Sequence, residues 1–89
     1  MKMRDNFMVR EIAGEYIAVP CGEASSKVEG LISLNEVAAG MFTSLQNGAS
    51  PEETARFVVS EYEVSFEKAL EDVNAFIAEL VKRNVFEDF

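Results

Sequence analysis

The chain has 89 residues, enough for one hydrophobic core and too few for two domains with a cleft between them. Close to half of the residues are apolar (48%) and 27% are charged, which is typical of a folded globular domain. A formal net charge of -8 disfavours binding to nucleic acid or to anionic lipid. We therefore expect a single domain spanning 1–89.

The cysteine content and the N-terminal residues bear on the cellular compartment. The one cysteine, Cys21, excludes an internal disulfide and is compatible with a reducing environment. No apolar run is long enough to cross a bilayer, and Met1–Asn6 lacks the apolar stretch of a secretory signal. These features predict a cytoplasmic protein without a membrane partner.

The first third of the chain has the pattern of antiparallel strands. Phe7–Ile12 and Tyr16–Val19 are β-prone runs, and the short Gly-containing connection between them predicts a hairpin. Pro20 ends the second run because it cannot donate to a ladder. We expect a polar loop over Cys21–Gly30, followed by a short third strand, Leu31–Leu34, at or near a sheet edge.

From Asn35 onward the apolar spacing changes from two to about 3.6, which predicts helices. Asn35 is the expected N-cap of the first helix, and Asn47-Gly48 is its expected stop. Ser50 and Glu53 form a predicted capping box, with Pro51 at the first helical position of the second helix. The apolar stripe of the first helix is Leu34, Val37, Ala38, Met41, Phe42 and Leu45, and that of the second is Ala55, Val58, Val59 and Tyr62.

A third helix begins after the expected cap Ser65 and ends near Asn84. Its apolar set is wider than the stripe of about 100° that one core requires. This set consists of Phe66, Ala69, Leu70, Val73, Phe76, Ile77, Leu80 and Val81. The order predicts an α+β fold, with a three-stranded antiparallel sheet followed by three helices.

The groups that usually carry catalysis are missing. The sequence has no histidine, which excludes Cys-His and Ser-His arrangements, and Cys21 is assigned no role. One thiol without imidazole does not make a transition-metal site, and the acidic pairs lack the spacing of a calcium loop. The glycines are scattered singly, so no phosphate-binding loop is expected. We predict a protein that is not an enzyme and holds no metal or cofactor.

Two elements have apolar surface beyond what the fold requires: the strand Leu31–Leu34 and the wide third helix. An unpaired strand edge is a hydrogen-bonding template for an extended chain, and a neighbouring apolar groove can select its side chains. Periodicity alone slightly favours the simpler interpretation, that both elements fill one core. A peptide-binding cleft is the alternative.

Two hypotheses come from other classes of protein. A DNA-associated winged-helix regulator is disfavoured by charge, since the one adjacent basic pair, Lys82-Arg83, is explained by the C-terminus of a helix. The second hypothesis is a structural domain that forms a homodimer through the same strand edge.

Several runs of the sequence together resemble the PqqD family. They are Arg10–Pro20, Gly30–Ala38 with its Leu-Asn-Glu junction into a helix, Phe42 with Leu45, Tyr62–Val64, and Asp72-Val73 with Phe76. The likeness covers nearly the whole chain. Phe42 departs from the pattern, because many members carry a larger aromatic residue there.

The resemblance implies a winged helix-turn-helix domain that recognises ribosomally synthesised precursor peptides, as in pyrroloquinoline quinone biosynthesis. Such domains bind the leader segment of the precursor as an added strand and present it to a modifying enzyme, often a radical SAM protein. Carried onto this sequence, the expected peptide-binding residues are Leu31, Ile32, Ser33 and Leu34 of the third strand and Leu70, Val73, Asn74, Ile77 and Val81 of the third helix.

Overall fold

The elements follow one another in the predicted order of three strands and three helices. The computed structural model describes residues 2–87, so the predicted domain extent of 1–89 includes three positions (1, 88 and 89) outside the described residues. The elements are β1 (Phe7–Ile12), β2 (Glu15–Pro20), a 3-10 turn (Gly22–Ser26), β3 (Ile32–Leu34), α1 (Glu36–Gln46), α2 (Pro51–Glu61) and α3 (Phe66–Lys82). The α+β fold with its βββααα order is confirmed.

The sheet is antiparallel throughout, in the order β1-β2-β3. The hairpin turn consists of Ala13 and Gly14, which both have positive φ (54° and 81°), and it is flanked by the pair Ile12 and Glu15. Two positive φ angles give a two-residue turn the twist that matches the flanking strands. Because β2 is the central strand, one edge of β3 has no strand partner among residues 2–87.

One hydrophobic core holds the sheet against the helices. Phe7 of β1 packs edge-on against Phe42 of α1, with ring centroids 5.6 Å apart and the planes at 73°. Edge-to-face pairs of this kind are favourable beyond the area that they bury. Phe42 is fully buried, so its departure from the family pattern concerns the core. The other buried apolar residues of the strands and helices are Ala18, Ile32, Leu34, Ala39, Met41, Leu45, Ala55, Val58, Ala69, Val73, Ile77 and Leu80.

All three predicted N-caps are confirmed. Asn35 Oδ1 accepts from the Ala38 N–H at 2.7 Å, and the Ser65 hydroxyl accepts from the Lys68 N–H at 3.1 Å. At α2 the capping box is complete, since the Ser50 hydroxyl accepts from the Glu53 N–H and the Glu53 carboxylate accepts from the Ser50 N–H. These bonds satisfy amides that a helix end leaves without partners.

Three features predicted from the sequence are wrong. Leu31 is not part of the third strand, and 54% of its surface is exposed. Val59 does not face the core and is 38% exposed, whereas the fully buried Thr54 does. The loop after β2 is not purely polar, because its 3-10 turn buries Ala24 and the following residues bury Val28.

The residues after α3 return to the N-terminus and close the core. Asn84, with a φ of 64°, reverses the chain after α3. The Arg4 N–H then donates to the Val85 carbonyl at 2.9 Å, and Met3 and Phe86 form an isolated antiparallel bridge. Val85 and Phe86 are both buried. The predicted helix stop is therefore confirmed, and the two residues after Asn84 belong to the core.

Candidate functional site

One hydrogen bond at the open end of the β1–β2 hairpin shows which facing residue pairs of the sheet are hydrogen-bonded. The Cys21 N–H donates to the Asn6 carbonyl at 2.7 Å. Asn6 and Cys21 lie an even number of residues from the partners Arg10 and Ile17. Since bonded and non-bonded pairs alternate along an antiparallel ladder, Arg10 and Ile17 are also a bonded pair. The backbone groups of Ile17 therefore point toward β1.

The same alternation determines which groups β3 leaves unpaired. If Ile17 bonds to β1, its neighbours Tyr16 and Ala18 bond to β3, where their partners are Leu34 and Ile32. Ser33 then directs both its N–H and its carbonyl away from the sheet. The free edge of β3 thus offers one donor and one acceptor at Ser33 for another extended chain.

The predicted strand residues divide into two sets. Ile32 and Leu34 are buried on the core face, while Ser33 is exposed on the opposite face. Leu31 is exposed, and its carbonyl accepts from Arg83 Nη2 at 2.9 Å. The backbone of Ser33 and the side chain of Leu31 are therefore the parts of the predicted strand that a partner can reach.

The predicted residues of α3 lie on one stripe of the helix, with different burial. Val73 and Ile77 are buried in the core that also holds Ile32 and Leu34. Leu70 and Val81 are half-buried at its margin, and Asn74 is exposed. The width of the apolar set therefore has two origins, a buried centre and a margin that is open to solvent.

Two recesses lie at opposite ends of β3 and carry opposite charge. The one at the C-terminal end, about 510 Å³, is lined by Ser33 and Leu34 together with Glu11, Glu15 and Glu36. The one near the start of β3, about 470 Å³, is lined by Lys27, Glu29, Lys82, Arg83 and Asn84. The edge is thus electrostatically polarised along its length.

Sequence reasoning missed the residues that join α3 to the start of β3. Arg83 reaches the Leu31 carbonyl, and Asn84 Nδ2 donates to the Lys27 carbonyl at 3.0 Å. The pair Lys82-Arg83 was visible in the sequence but was explained by the end of a helix. Its position beside β3 depends on a contact between residues 52 apart along the chain.

A further recess, about 720 Å³, lies between α1, α2 and the sheet. The Tyr62 hydroxyl donates to Glu36 there at 3.3 Å, and burial raises the pKa of Tyr62, with the Glu36 carboxylate raising it further. Phe57 lies against Gly40, where an added Cβ would come within 2.8 Å of the ring. None of the predicted site residues lines this recess.

A family model for coenzyme PQQ synthesis protein D (PqqD) matches residues 24–85, well over half of the chain. The chain belongs to the PqqD family. The matched region contains β3, all three helices and the Leu31–Arg83 link, so the candidate site lies entirely within it. No curated protein matches the sequence.

Two solved structures share the fold. TbiB1, in complex with the TbiA(beta) leader peptide, superposes with a TM-score of 0.77 at 21% identity, covering 100% of this chain and 98% of that one. Lasso peptide synthetase B1, complexed with the leader peptide, gives a TM-score of 0.72 at 26% identity, covering 93% and 92% of the two chains. None of the described helices combines the length and apolarity needed to span a membrane.

Proposed function

We propose that this PqqD-family domain captures the leader segment of a ribosomally synthesised precursor peptide as a fourth strand against β3. The observation that carries the proposal is the free edge of β3, where Ser33 presents a donor and an acceptor that no backbone group of residues 2–87 pairs with. Two structures of the same fold contain leader peptides, which supports leader binding by this fold.

The proposed site has a backbone part and a side-chain part. Pairing with Ser33 supplies affinity with little sequence content, while apolar side chains of the peptide pack on the margin of α3. Leu70, Asn74 and Val81 are the accessible members of that margin, and Val73 and Ile77 form its floor. Ile32 and Leu34 hold β3 on the core, so their role is to position the edge.

The domain acts in this proposal without catalysing a reaction. A bound leader tethers the rest of the precursor near a modifying enzyme, for which a radical SAM protein is the candidate that the family implies. Tethering raises the local substrate concentration, to the millimolar range for short flexible linkages, without any chemistry in this chain. We place the system in the cytoplasm on the basis of the sequence.

A proline substitution tests strand addition directly. Ser33→Pro removes the N–H that faces the free edge, whereas Ser33→Ala keeps the backbone and serves as the control. Ile32 is unsuitable for this purpose because its N–H belongs to the ladder with β2. The peptide to be titrated is the N-terminal half of a short precursor-like peptide encoded next to the gene for this protein. Binding is measured from the amide chemical shifts of the labelled protein.

We expect shifts at residues 31–35 and along α3 for the wild type and for Ser33→Ala, with binding by Ser33→Pro weakened at least tenfold. Normal binding by a folded Ser33→Pro variant would show that strand addition is wrong. The competing use of the edge is self-association through β3. Sedimentation of the free protein would detect the resulting dimer. A three-residue strand is a short template for pairing two copies.

A further inference from the structure

The recess beside the start of β3 gathers three of the eight basic residues of a chain that has sixteen acidic ones. Within residues 2–87 no ion pair involves Lys27, Lys82 or Arg83, although Glu29 also lines the recess. Three cations and one carboxylate leave the recess positively charged. We define this group of four side chains as the basic recess.

The end of α3 explains only part of this arrangement. Lys82 and Arg83 lie where cations are favourable, at the C-terminus of a helix. Lys27 belongs to the loop before β3, and its carbonyl is held by Asn84, which keeps this loop against the end of α3. The third cation therefore comes from a different segment of the chain, which the contact with Asn84 holds against the end of α3.

The basic recess has a defined relation to the peptide edge. Arg83 contacts the Leu31 carbonyl, so the recess adjoins the N-terminal end of β3. At the other end of β3, Ser33 and Leu34 share the lining of a recess with Glu11, Glu15 and Glu36. A strand that pairs with β3 therefore passes from an acidic environment to a basic one.

We infer that the basic recess binds a carboxylate side chain of the peptide strand on β3 and so orients that strand. This inference rests on the proposed function and specifies the chemistry of its substrate. The pairs already present in the sheet are antiparallel, which is the more stable mode. The acidic residue then lies on the C-terminal side of the pairing segment, and a basic residue is favoured on the N-terminal side.

A single carboxylate suits the recess better than the phosphates of a nucleic acid. The protein carries a net charge of -8, so a polyanion is repelled by the molecule as a whole. One anionic side chain on an otherwise neutral peptide meets the local field without that penalty. Binding of duplex DNA is accordingly an outcome that the test must include.

The test is a selection followed by a titration. A displayed library of random twelve-residue peptides is selected on the wild type, on the double variant Lys27→Gln/Lys82→Gln and on the control Arg10→Gln/Lys68→Gln. Both variants change the net charge equally. The Lys27 and Lys82 side chains form no hydrogen bond within residues 2–87, so we expect the first variant to remain folded. Thermal unfolding checks this.

We expect wild type and control to enrich Asp or Glu on the C-terminal side of an apolar pairing segment, and the Lys27→Gln/Lys82→Gln variant to lose this enrichment. The selected peptide should bind that variant about three- to tenfold more weakly, as expected for partly exposed ion pairs. Replacing the acid of the peptide by its amide should cause a similar loss on the wild type and on the control, but not on the Lys27→Gln/Lys82→Gln variant.

The outcomes separate this inference from the proposed function. Peptides that shift the Ser33 amide but show no acidic preference, or carry the acid on the N-terminal side, overturn the inference and leave strand addition standing. Peptides that leave the Ser33 amide unshifted overturn both. Duplex DNA that binds the wild type but not the Lys27→Gln/Lys82→Gln variant assigns the recess to phosphate and overturns the inference alone.

Discussion

The apolar pattern of α2 did not predict that Thr54 is buried. Apolar spacing assigned Val59 to the core, but Val59 is partly exposed and Thr54 is completely buried. Within the described part of the chain, the Thr54 hydroxyl has no hydrogen-bond partner. A buried hydroxyl without a partner costs free energy, commonly about 1–3 kcal/mol.

Replacing this hydroxyl by a methyl group should stabilise the protein. We expect Thr54→Val to raise the free energy of unfolding by about 1 kcal/mol, since the shape is kept and the two residues have similar helix propensities. Urea denaturation measures the change. Thr43→Val is the control, because the Thr43 hydroxyl donates to the Ala39 carbonyl at 3.0 Å and gains nothing from removal. A destabilised Thr54→Val would mean that the hydroxyl has a partner.

At the scale of elements, helix starts and the hairpin could be predicted because their signals are local. Asn35, Ser50 and Ser65 each bond to an amide three residues further on. The bounds of β3 and the contents of the preceding loop could not be predicted in the same way. They depend on β2 and on α3, which are distant in the sequence.

The capping box of α2 should make stability depend on pH in the acidic range. The backbone hydrogen bond from Ser50 lowers the pKa of Glu53 below 4.5, and the Ser50 hydroxyl lowers it further. Because the pKa of Glu53 is lower in the folded state, the ionised carboxylate contributes fully to stability above about pH 4.5. This contribution is lost as the pH falls through the lowered value.

Substitution at Glu53 separates this charge effect from the cap itself. Glu53→Gln keeps an acceptor for the Ser50 N–H but cannot ionise, so it should be less stable than the wild type at pH 7 and nearly equal to it at about pH 3. Ser50→Ala should lose about 1 kcal/mol at pH 7 and keep most of this loss at about pH 3, because the bond from the Glu53 N–H to the hydroxyl does not depend on ionisation. Urea midpoints at the two pH values provide the measurement. A pH-independent difference for Glu53→Gln would contradict the assignment.

At the scale of the whole molecule, the two ends of the described chain complete the core together. Arg4 Nε donates to the Asn84 carbonyl at 2.8 Å, and Val85 and Phe86 are buried beside Met3. This contact joins residues about eighty positions apart. It also stabilises the reversal that leaves Arg83 facing Leu31, so the base of the candidate cleft depends on it.

Removing the Phe86 side chain should therefore destabilise the entire domain. We expect Phe86→Ala to cost about 3 kcal/mol of the free energy of unfolding, as for other fully buried phenylalanines. Phe57→Ala is the matched control, since Phe57 is 37% exposed and should cost clearly less. Thermal or urea unfolding compares them. A loss for Phe86→Ala as small as the one expected for a partly exposed phenylalanine would contradict this role of the C-terminal residues.

The sequence by itself determined the βββααα order, the three helix caps, the hairpin and the family, because all of these rest on neighbouring residues or on their order. Only the tertiary structure decided which part of the α3 stripe is core, that the backbone of Ser33 faces the free edge, and that Lys27 and Arg83 line one recess. Each depends on contacts between distant segments, whose burial and hydrogen bonds no local pattern encodes. The candidate site lies at such a contact.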